Sequence, residues 1–265
     1  METKTTYRHI AWGAVLAATL NFSALIGNAS SEVPVDLTGW VAEGGGTWTR
    51  APDNNSVFQS VNGNPTVFHN DTNSQGQQLS GTITVETAGD DDFIGFVLGY
   101  NAGDLLNDSA DYILIDWKQL DQGGFFGGVA LDGLAISSVT GVLANNSGAW
   151  LHDPANNVTE LQRSTNLGST GWQDNITYDF DLTFRSDLIE VFVDGSKELS
   201  ITGTFADGGF GFYNYSQANV RYAGLTQSTL PPTDPDTVIP VPASLPLLLG
   251  AIGAITGLKR RRQKS

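Results

Sequence analysis

Short runs of alternating apolar and polar residues constrain this chain more than any other feature. Between residues 37 and 225 the apolar residues recur with a period of two or form short unbroken runs, and no stretch of about 12 residues has helical spacing. Residues 178–184 alternate without a break, which places one face of that strand in a core and the other in solvent. The pattern predicts an all-β domain.

Turn residues separate the candidate strands at intervals that suit a two-sheet sandwich folded as one domain. Asp194-Gly195 between two apolar runs predicts a hairpin. The stretch 121–147, rich in Gly and Asn, has the weakest pattern and is the candidate for a mobile loop. The other candidate strands are 56–61, 66–68, 82–86, 93–100, 112–117, 188–193, 197–201, 209–215 and 220–225.

Composition and charge exclude several classes of protein. The chain contains no Cys, which excludes disulfides, thiol catalysis and cysteine-ligated metal centres. It has 13 Lys and Arg against 28 Asp and Glu, and the two ends hold seven of those cations and one anion, so residues 31–238 carry a formal charge of −21. Such a surface attracts divalent cations and repels phosphate backbones, which argues against nucleic acid as a partner.

The N-terminal end, residues 1–29, is predicted to be a secretory signal peptide. Two cations precede an apolar stretch at 10–26, and the small residues Gly27 and Ala29 suit cleavage by signal peptidase. The alternative is an uncleaved membrane anchor, but Asn21 interrupts the apolar run and no stop-transfer pattern follows it. The prediction therefore places the β domain, residues 30–228, outside the cytoplasm.

The C-terminal end has three parts after a Pro-rich linker at 229–238. Residues 239–243 read Ile-Pro-Val-Pro-Ala, residues 245–258 are apolar, and residues 259–262 are basic. As a helix the 14 apolar residues reach about 21 Å, whereas a bilayer core needs about 30 Å. The segment therefore spans only marginally and is predicted to be a transient inner-membrane anchor, with the basic tail holding its end in the cytoplasm.

This end, residues 239–265, resembles the PEP-CTERM class of bacterial sorting signals in its VPLPA-like variant, with Val241, Pro242 and Ala243 as the matching core. The resemblance implies that a membrane protease of the exosortase type removes the helix and the basic tail as the protein moves to the cell surface. Val stands where Leu is commoner in the motif. The alternative is an ordinary short tail anchor.

Five stretches of the middle region resemble, in order, the C-terminal lectin-like domain of thrombospondins. They read DDDFIGFVLGY at 90–100, DWKQ at 116–119, WLHDP at 150–154, GWQD at 171–174 and GGFGF at 208–212. The resemblance implies a concanavalin-like jelly-roll β-sandwich of the L-type lectin kind, calcium binding, and adhesion at a cell surface or matrix. The chain departs from those proteins in having no Cys, no Asp-rich calcium repeats and no Arg-Gly-Asp.

Asp90, Asp91 and Asp92 form the leading candidate metal site, because calcium prefers clustered carboxylate oxygens in loops. If strand alternation applies, one ion can take Asp90 with Asp92, or Asp91 with backbone carbonyls, but not all three side chains. Asp116 and Asp153 are second-rank ligand candidates because they lie in the matching stretches. The alternative is a solvated acidic turn.

The sequence favours a binding protein over an enzyme. Trp117, Trp150 and Trp172 suit core packing better than sugar stacking, and His152 beside Asp153 suits a lone imidazole in a packed turn better than a general base. No nucleophile elbow or closely spaced glycosidase carboxylate run is present.

Three functions follow from these features. The first is a secreted, surface-sorted, calcium-binding adhesion module of a bacterium that engages extracellular polysaccharide or a matrix protein. The second is a structural matrix sandwich with no dedicated ligand, and the third is a glycan hydrolase. The sequence does not identify the ligand.

Overall fold

The computed structural model describes residues 31–232, so the predicted signal peptide, most of the linker and the sorting motif lie outside the described residues. Within them the chain forms 17 strands, the short helix α1 (Ser147–Leu151) and two 3-10 turns (Asp104–Leu106 and Pro154–Asn156). The strands are β1 (Val33–Pro34), β2 (Val41–Gly44), β3 (Trp48–Arg50), β4 (Ser56–Gln59), β5 (Thr66–His69), β6 (Gln77–Val85), β7 (Phe93–Tyr100), β8 (Asp111–Lys118), β9 (Gln122–Phe125), β10 (Gly128–Ala130), β11 (Gly133–Thr140), β12 (Val158–Arg163), β13 (Thr177–Phe184), β14 (Leu188–Val193), β15 (Ser196–Thr202), β16 (Gly209–Tyr215) and β17 (Val220–Thr229). No helix within residues 31–232 is long and apolar enough to cross a membrane.

Two antiparallel sheets form a jelly-roll β-sandwich. The eight-stranded sheet has the order β15-β14-β13-β6-β17-β4-β3, with β1 also paired to β17, and the seven-stranded sheet has the order β12-β11-β8-β7-β16-β5-β2. Strands β9 and β10 pair only with each other, as a separate hairpin. The predicted all-β sandwich is confirmed.

The main core lies between the two sheets. Phe96 and Ile115 of the seven-stranded sheet pack there with Phe180 and Leu182 of the eight-stranded sheet. Along β13 the apolar residues are buried and the intervening Asp179 and Asp181 are less buried, as the alternation predicts.

A second buried cluster covers the outer face of the seven-stranded sheet. Phe93, Val97 and Tyr215 point away from the main core, and they pack under Leu105 and under Trp150 of α1. Strands β7 and β16 are therefore buried on both faces, as expected for central strands. Helix α1 and the β9–β10 hairpin lie over this face, and they position the candidate site.

Two local predictions meet opposite outcomes. The turn at Asp194-Gly195 joins β14 to β15, with both residues at positive φ, so the predicted hairpin is confirmed. The stretch 121–147, the candidate for a mobile loop, is largely strand, because it contains the β9–β10 hairpin and β11, which is paired between β8 and β12. Ala135 and Ser137 face the outer cluster with small side chains, which weakens the apolar alternation that marks other strands.

Candidate functional site

The three aspartates Asp90, Asp91 and Asp92, here called the acidic cluster, converge immediately before β7. One carboxylate oxygen of each lies within 4.8 Å of the other two, and among residues 31–232 this is the group with the geometry to hold a metal ion. The strand begins only at Phe93, so the alternation assumed from the sequence does not apply to these residues. The expectation that one ion could not take all three side chains rested on that alternation, so its premise is wrong.

A buried lysine, Lys118 at the end of β8, lies against the acidic cluster. Its Nζ is 2.5 Å from Asp92 Oδ1 and 3.6 Å from Asp91 Oδ1, and its side chain is fully buried. The ammonium also donates to the Asp91 carbonyl oxygen at 3.1 Å and to Gln122 Oε1 at 3.0 Å. Sequence reasoning missed this residue, although a cation ending an apolar strand in so acidic a domain was the available signal.

Two aromatic rings complete the surroundings of the Lys118 ammonium. Nζ lies 5.2 Å from the ring centre of Phe93 and 5.0 Å from that of Trp150, within the range of cation–π attraction. The three ammonium protons are matched by the Asp92, Asp91 and Gln122 oxygens. The buried positive charge is therefore fully satisfied by the fold.

The charge of the acidic cluster is only partly neutralised. Three carboxylates and one ammonium leave a formal charge of −2 when all are ionised. Burial, followed by repulsion from Asp92, raises the pKa of Asp90 to about 6. Burial also raises the pKa of Asp92, against the opposing effect of Lys118. An excess of negative charge on hard oxygen atoms in a loop is the chemistry that suits a divalent cation such as calcium.

The side chains of the two second-rank ligand candidates, Asp116 and Asp153, contact residues outside the acidic cluster. Asp116 is buried in β8 and its Oδ2 lies 2.9 Å from His152 Nε2, while the other nitrogen of that ring lies 2.9 Å from Glu160 Oε2. Asp153 accepts a hydrogen bond from the Ala155 backbone N–H, which caps a 3-10 turn, and another from the Ser147 hydroxyl at the start of α1. Both aspartates have structural partners where they stand.

His152 is not the lone imidazole that the sequence suggested. It follows α1 with φ 53°, and this left-handed conformation directs its ring between two carboxylates. Burial alone would lower the pKa of His152, but Asp116 and Glu160 raise it to about 9. The imidazole is therefore a cation at neutral pH and forms an ion-pair bridge between buried Asp116 of β8 and partly exposed Glu160 of β12.

A cleft of about 310 Å³ opens beside the acidic cluster, and we call it the aromatic cleft. Phe125 and Phe126 of the β9–β10 hairpin form one side of it. The cleft is also lined by Asn62, Asn64, Asp92, Asn145, Trp150 and Tyr215. Sequence reasoning missed this cleft, because its residues come from five separate segments.

Trp117, Trp150 and Trp172 are all buried, which confirms the prediction of core packing. Trp117 Nε1 donates to the Thr170 carbonyl oxygen and Trp172 Nε1 to the Asp92 carbonyl oxygen. The second of these bonds fixes the backbone of the acidic cluster against the core.

The fold and the loop-borne acidic cluster define a lectin-like β-sandwich domain. The fold is similar to that of a carbohydrate-binding module, CBM66 from Bacillus subtilis, with a TM-score of 0.52 at 11% sequence identity over 72% of this chain and 96% of that one.

The chain belongs to the thrombospondin C-terminal region family, whose model matches residues 45–229. It is 28% identical over 195 residues to thrombospondin-3b of Danio rerio and 29% identical over 195 residues to cartilage oligomeric matrix protein of Bos taurus. Each alignment covers 67% of this chain, but only 20% and 25% of the relative, respectively. The chain therefore spans about a quarter or less of the length of these relatives.

Proposed function

We propose that this protein is a secreted, surface-sorted, calcium-binding adhesion module of a bacterium, which binds extracellular polysaccharide or protein without catalysis. The observation that carries the proposal is the acidic cluster, whose three convergent carboxylates are neutralised by only one buried lysine. Membership of the thrombospondin C-terminal family supports an extracellular role, since one relative is named as a matrix protein.

The residues present fit a calcium ion. Asp90 and Asp91 are half-buried and therefore accessible from solvent, whereas Asp92 is buried and its Oδ1 faces Lys118. Calcium would supply two positive charges that relieve the repulsion between the carboxylates and stiffen the loop before β7. The chain itself fixes this loop through the Asp92 N–H, which donates to Gln217 Oε1 at 2.9 Å.

Surface sorting is proposed from the two ends of the sequence. The predicted signal peptide would export the domain, and the motif at Val241, Pro242 and Ala243 would direct processing by an exosortase-type enzyme at the membrane. Export and retention at the cell surface suit a module that adheres to extracellular material.

Binding without turnover is proposed because the carboxylates are otherwise engaged. Glycoside hydrolysis uses two carboxyl groups about 5 to 10 Å apart on either side of a substrate. The acidic cluster lies on one loop, and Asp116 and Glu160 both pair with His152. This arrangement favours adhesion over the glycan hydrolase that the sequence left open.

Calcium binding is tested by thermal unfolding of the full chain with and without calcium. A ligand that binds only the folded state stabilises it by about 2.7 kcal/mol at 100 times its Kd. We expect Asp90→Asn combined with Asp91→Asn to remove most of the calcium-dependent rise in Tm. Asp92 is left intact, because its loss would also unpair buried Lys118.

The matched control is Asp71→Asn combined with Asp108→Asn, which changes the net charge equally. These residues follow β5 and β7, and pairing places them at the end of the sheet opposite the acidic cluster. A control variant that loses the calcium response as completely as the Asp90 and Asp91 variant would refute the site. No calcium response in the parent protein would favour the structural matrix role.

A further inference from the structure

We propose that the aromatic cleft is a saccharide-binding site, which takes one part of a neutral glycan chain. The inference deepens the proposed adhesive function and rests on it, since it names where the polysaccharide would bind and which chemical class it belongs to. It stands on three features of the described residues: exposed aromatic rings, side-chain amides with unused hydrogen-bonding groups, and the negative charge of the domain around the cleft.

The aromatic rings are exposed at the tip of a hairpin. Phe125 and Phe126 are 51% and 46% exposed, and apolar side chains that are exposed side by side mark interaction sites more often than isolated ones do. Phe126 and Gly127 have φ of 50° and 83°, as the two central residues of a tight hairpin turn require, so the turn itself places Phe126 at the tip. The rings lie 5.3 Å and 6.5 Å from the buried ring of Trp150, so they stand on a rigid base.

The amides of Asn145 and Asn64 supply hydrogen-bonding groups. Tyr215 OH donates to Asn145 Oδ1 at 2.5 Å, which fixes the orientation of that amide. Within residues 31–232, the Asn145 Nδ2 group and the Asn64 side chain form no hydrogen bond. Planar amides beside aromatic rings suit sugar rings, which present apolar C–H faces to the rings and hydroxyl groups to the amides.

The net charge of the domain selects a neutral ligand. Asp92 lines the cleft, and residues 31–238 carry a formal charge of −21, of which one calcium ion at the acidic cluster would offset only two charges. An anionic polysaccharide would meet like charge there, which costs affinity and slows association. A protein surface is disfavoured too, because a cleft of about 310 Å³ is at the small end of sites for small molecules.

A second hollow beside the cleft has room for the rest of a glycan chain. Asn64 and Asn145 line a second hollow of about 670 Å³, which continues past Leu105 and Leu106. Because the same two amides border both spaces, the two hollows adjoin. We expect a glycan longer than the cleft to extend toward the second hollow.

The acidic cluster and the aromatic cleft share Asp92, and Asn62 connects the two. Asn62 lines the cleft and donates a short hydrogen bond to Asp90 Oδ2, and Asp92 belongs to both. A cation at the cluster would hold Asn62 and Asp92 in place. We therefore expect calcium to tighten saccharide binding rather than to be displaced by it.

The test uses the full chain and neutral polysaccharides as probes. Soluble glucans, mannans and galactans are first screened in native affinity gels. Short oligosaccharides of the polysaccharide that binds are then titrated into the protein. Tryptophan fluorescence and calorimetry report binding. We expect Phe125→Leu combined with Phe126→Leu to weaken binding by about tenfold or more, equivalent to about 1.4 kcal/mol. Phe125→Tyr combined with Phe126→Tyr should retain binding, because the flat rings remain.

The control variant is Leu161→Ala, which removes an equally exposed apolar side chain from β12. Unfolding curves of each variant show whether the hairpin change has altered folding. Equal weakening by the Leu and Tyr variants, or by Leu161→Ala, would overturn the assignment of the cleft. Absence of binding to every neutral polysaccharide, in a protein that still shows its calcium-dependent rise in Tm, would overturn the saccharide inference and leave the calcium site standing. Binding to an anionic polysaccharide but to no neutral one would also overturn the saccharide inference.

Discussion

Replacing Lys118 by Met tests the electrostatic arrangement on which the candidate site depends. The substitution keeps much of the side-chain volume between Phe93 and Trp150 but removes the ammonium 2.5 Å from Asp92 Oδ1. Asp92 is then left as a buried carboxylate beside two others. Breaking a buried pair by removing one partner costs about 3–5 kcal/mol, because the remaining charge is uncompensated.

The expected loss is measured as a change in Tm and in the free energy of unfolding by urea. For a domain of this size each 1 kcal/mol shifts Tm by about 2–4 °C, so we expect Lys118→Met to lower Tm by about 10 °C. The matched control is Lys197→Met. Lys197 forms a pair of similar length with Glu190, at 2.6 Å, but its side chain is 51% exposed, so its removal should cost less than about 1 kcal/mol.

Two further measurements separate charge from packing. Lys118→Met combined with Asp92→Asn removes the uncompensated charge and should recover part of the lost stability. Calcium should raise the Tm of Lys118→Met more than that of the parent, because the cluster then carries an additional unneutralised charge. A cost for Lys118→Met equal to that of Lys197→Met, or no recovery in the double variant, would refute the reasoning.

Three other outcomes are expected. The pKa of His152 is about 9 in the folded protein, against an ordinary value of 6.5. Its ion pairs therefore stabilise the fold fully below about pH 6.5, and the free energy of unfolding in urea should fall as pH rises through 9. Glu160→Gln should reduce this pH dependence, and an unchanged curve would contradict the assignment. Intact-mass measurement of extracellular protein should show a chain that ends near Val238, whereas peptides from residues 247–259 would contradict processing. Incubation with neutral glycans should release no new reducing ends, and steady release that one carboxylate substitution stops would indicate a hydrolase.

The sequence predicted those parts of the fold that depend on local pattern. Strand β13 alternates because one face packs in the core and the other meets solvent, and Asp194-Gly195 tolerates the positive φ that its turn needs. Strands β7 and β16 were visible as apolar runs because both of their faces are covered. In each case the cause of the structure lies within a few neighbouring residues.

Strand β11 was not predicted because the cause of its burial is distant. Its outer face carries Ala135 and Ser137, which are small enough to lie under the segments that cover the sheet, and β8 and β12 pair with it on either side. A pattern of small and polar residues resembles a loop when it is considered alone. Only the pairing partners distinguish the two possibilities.

The same distinction explains which parts of the site could be predicted. Asp90, Asp91 and Asp92 are adjacent in the chain, so a carboxylate-rich loop was evident from the residues themselves. Lys118 and Asn62 come from other segments, and their approach to the cluster depends on the pairing of β7 with β8 and on the loop after β4. Residue type alone gave no measure of how far Lys118 offsets the cluster charge.

The position of Lys118 also connects the acidic cluster to the hairpin that carries the exposed rings. Its ammonium binds Asp92 on one side and Gln122, the first residue of β9, on the other. Phe125 ends the same strand, so a single buried cation fixes both the carboxylates and the start of the hairpin. The proposed calcium site and the proposed saccharide cleft are therefore linked through Asp92, Lys118 and Gln122. This link runs along the outer face of one sheet rather than through the core between the sheets.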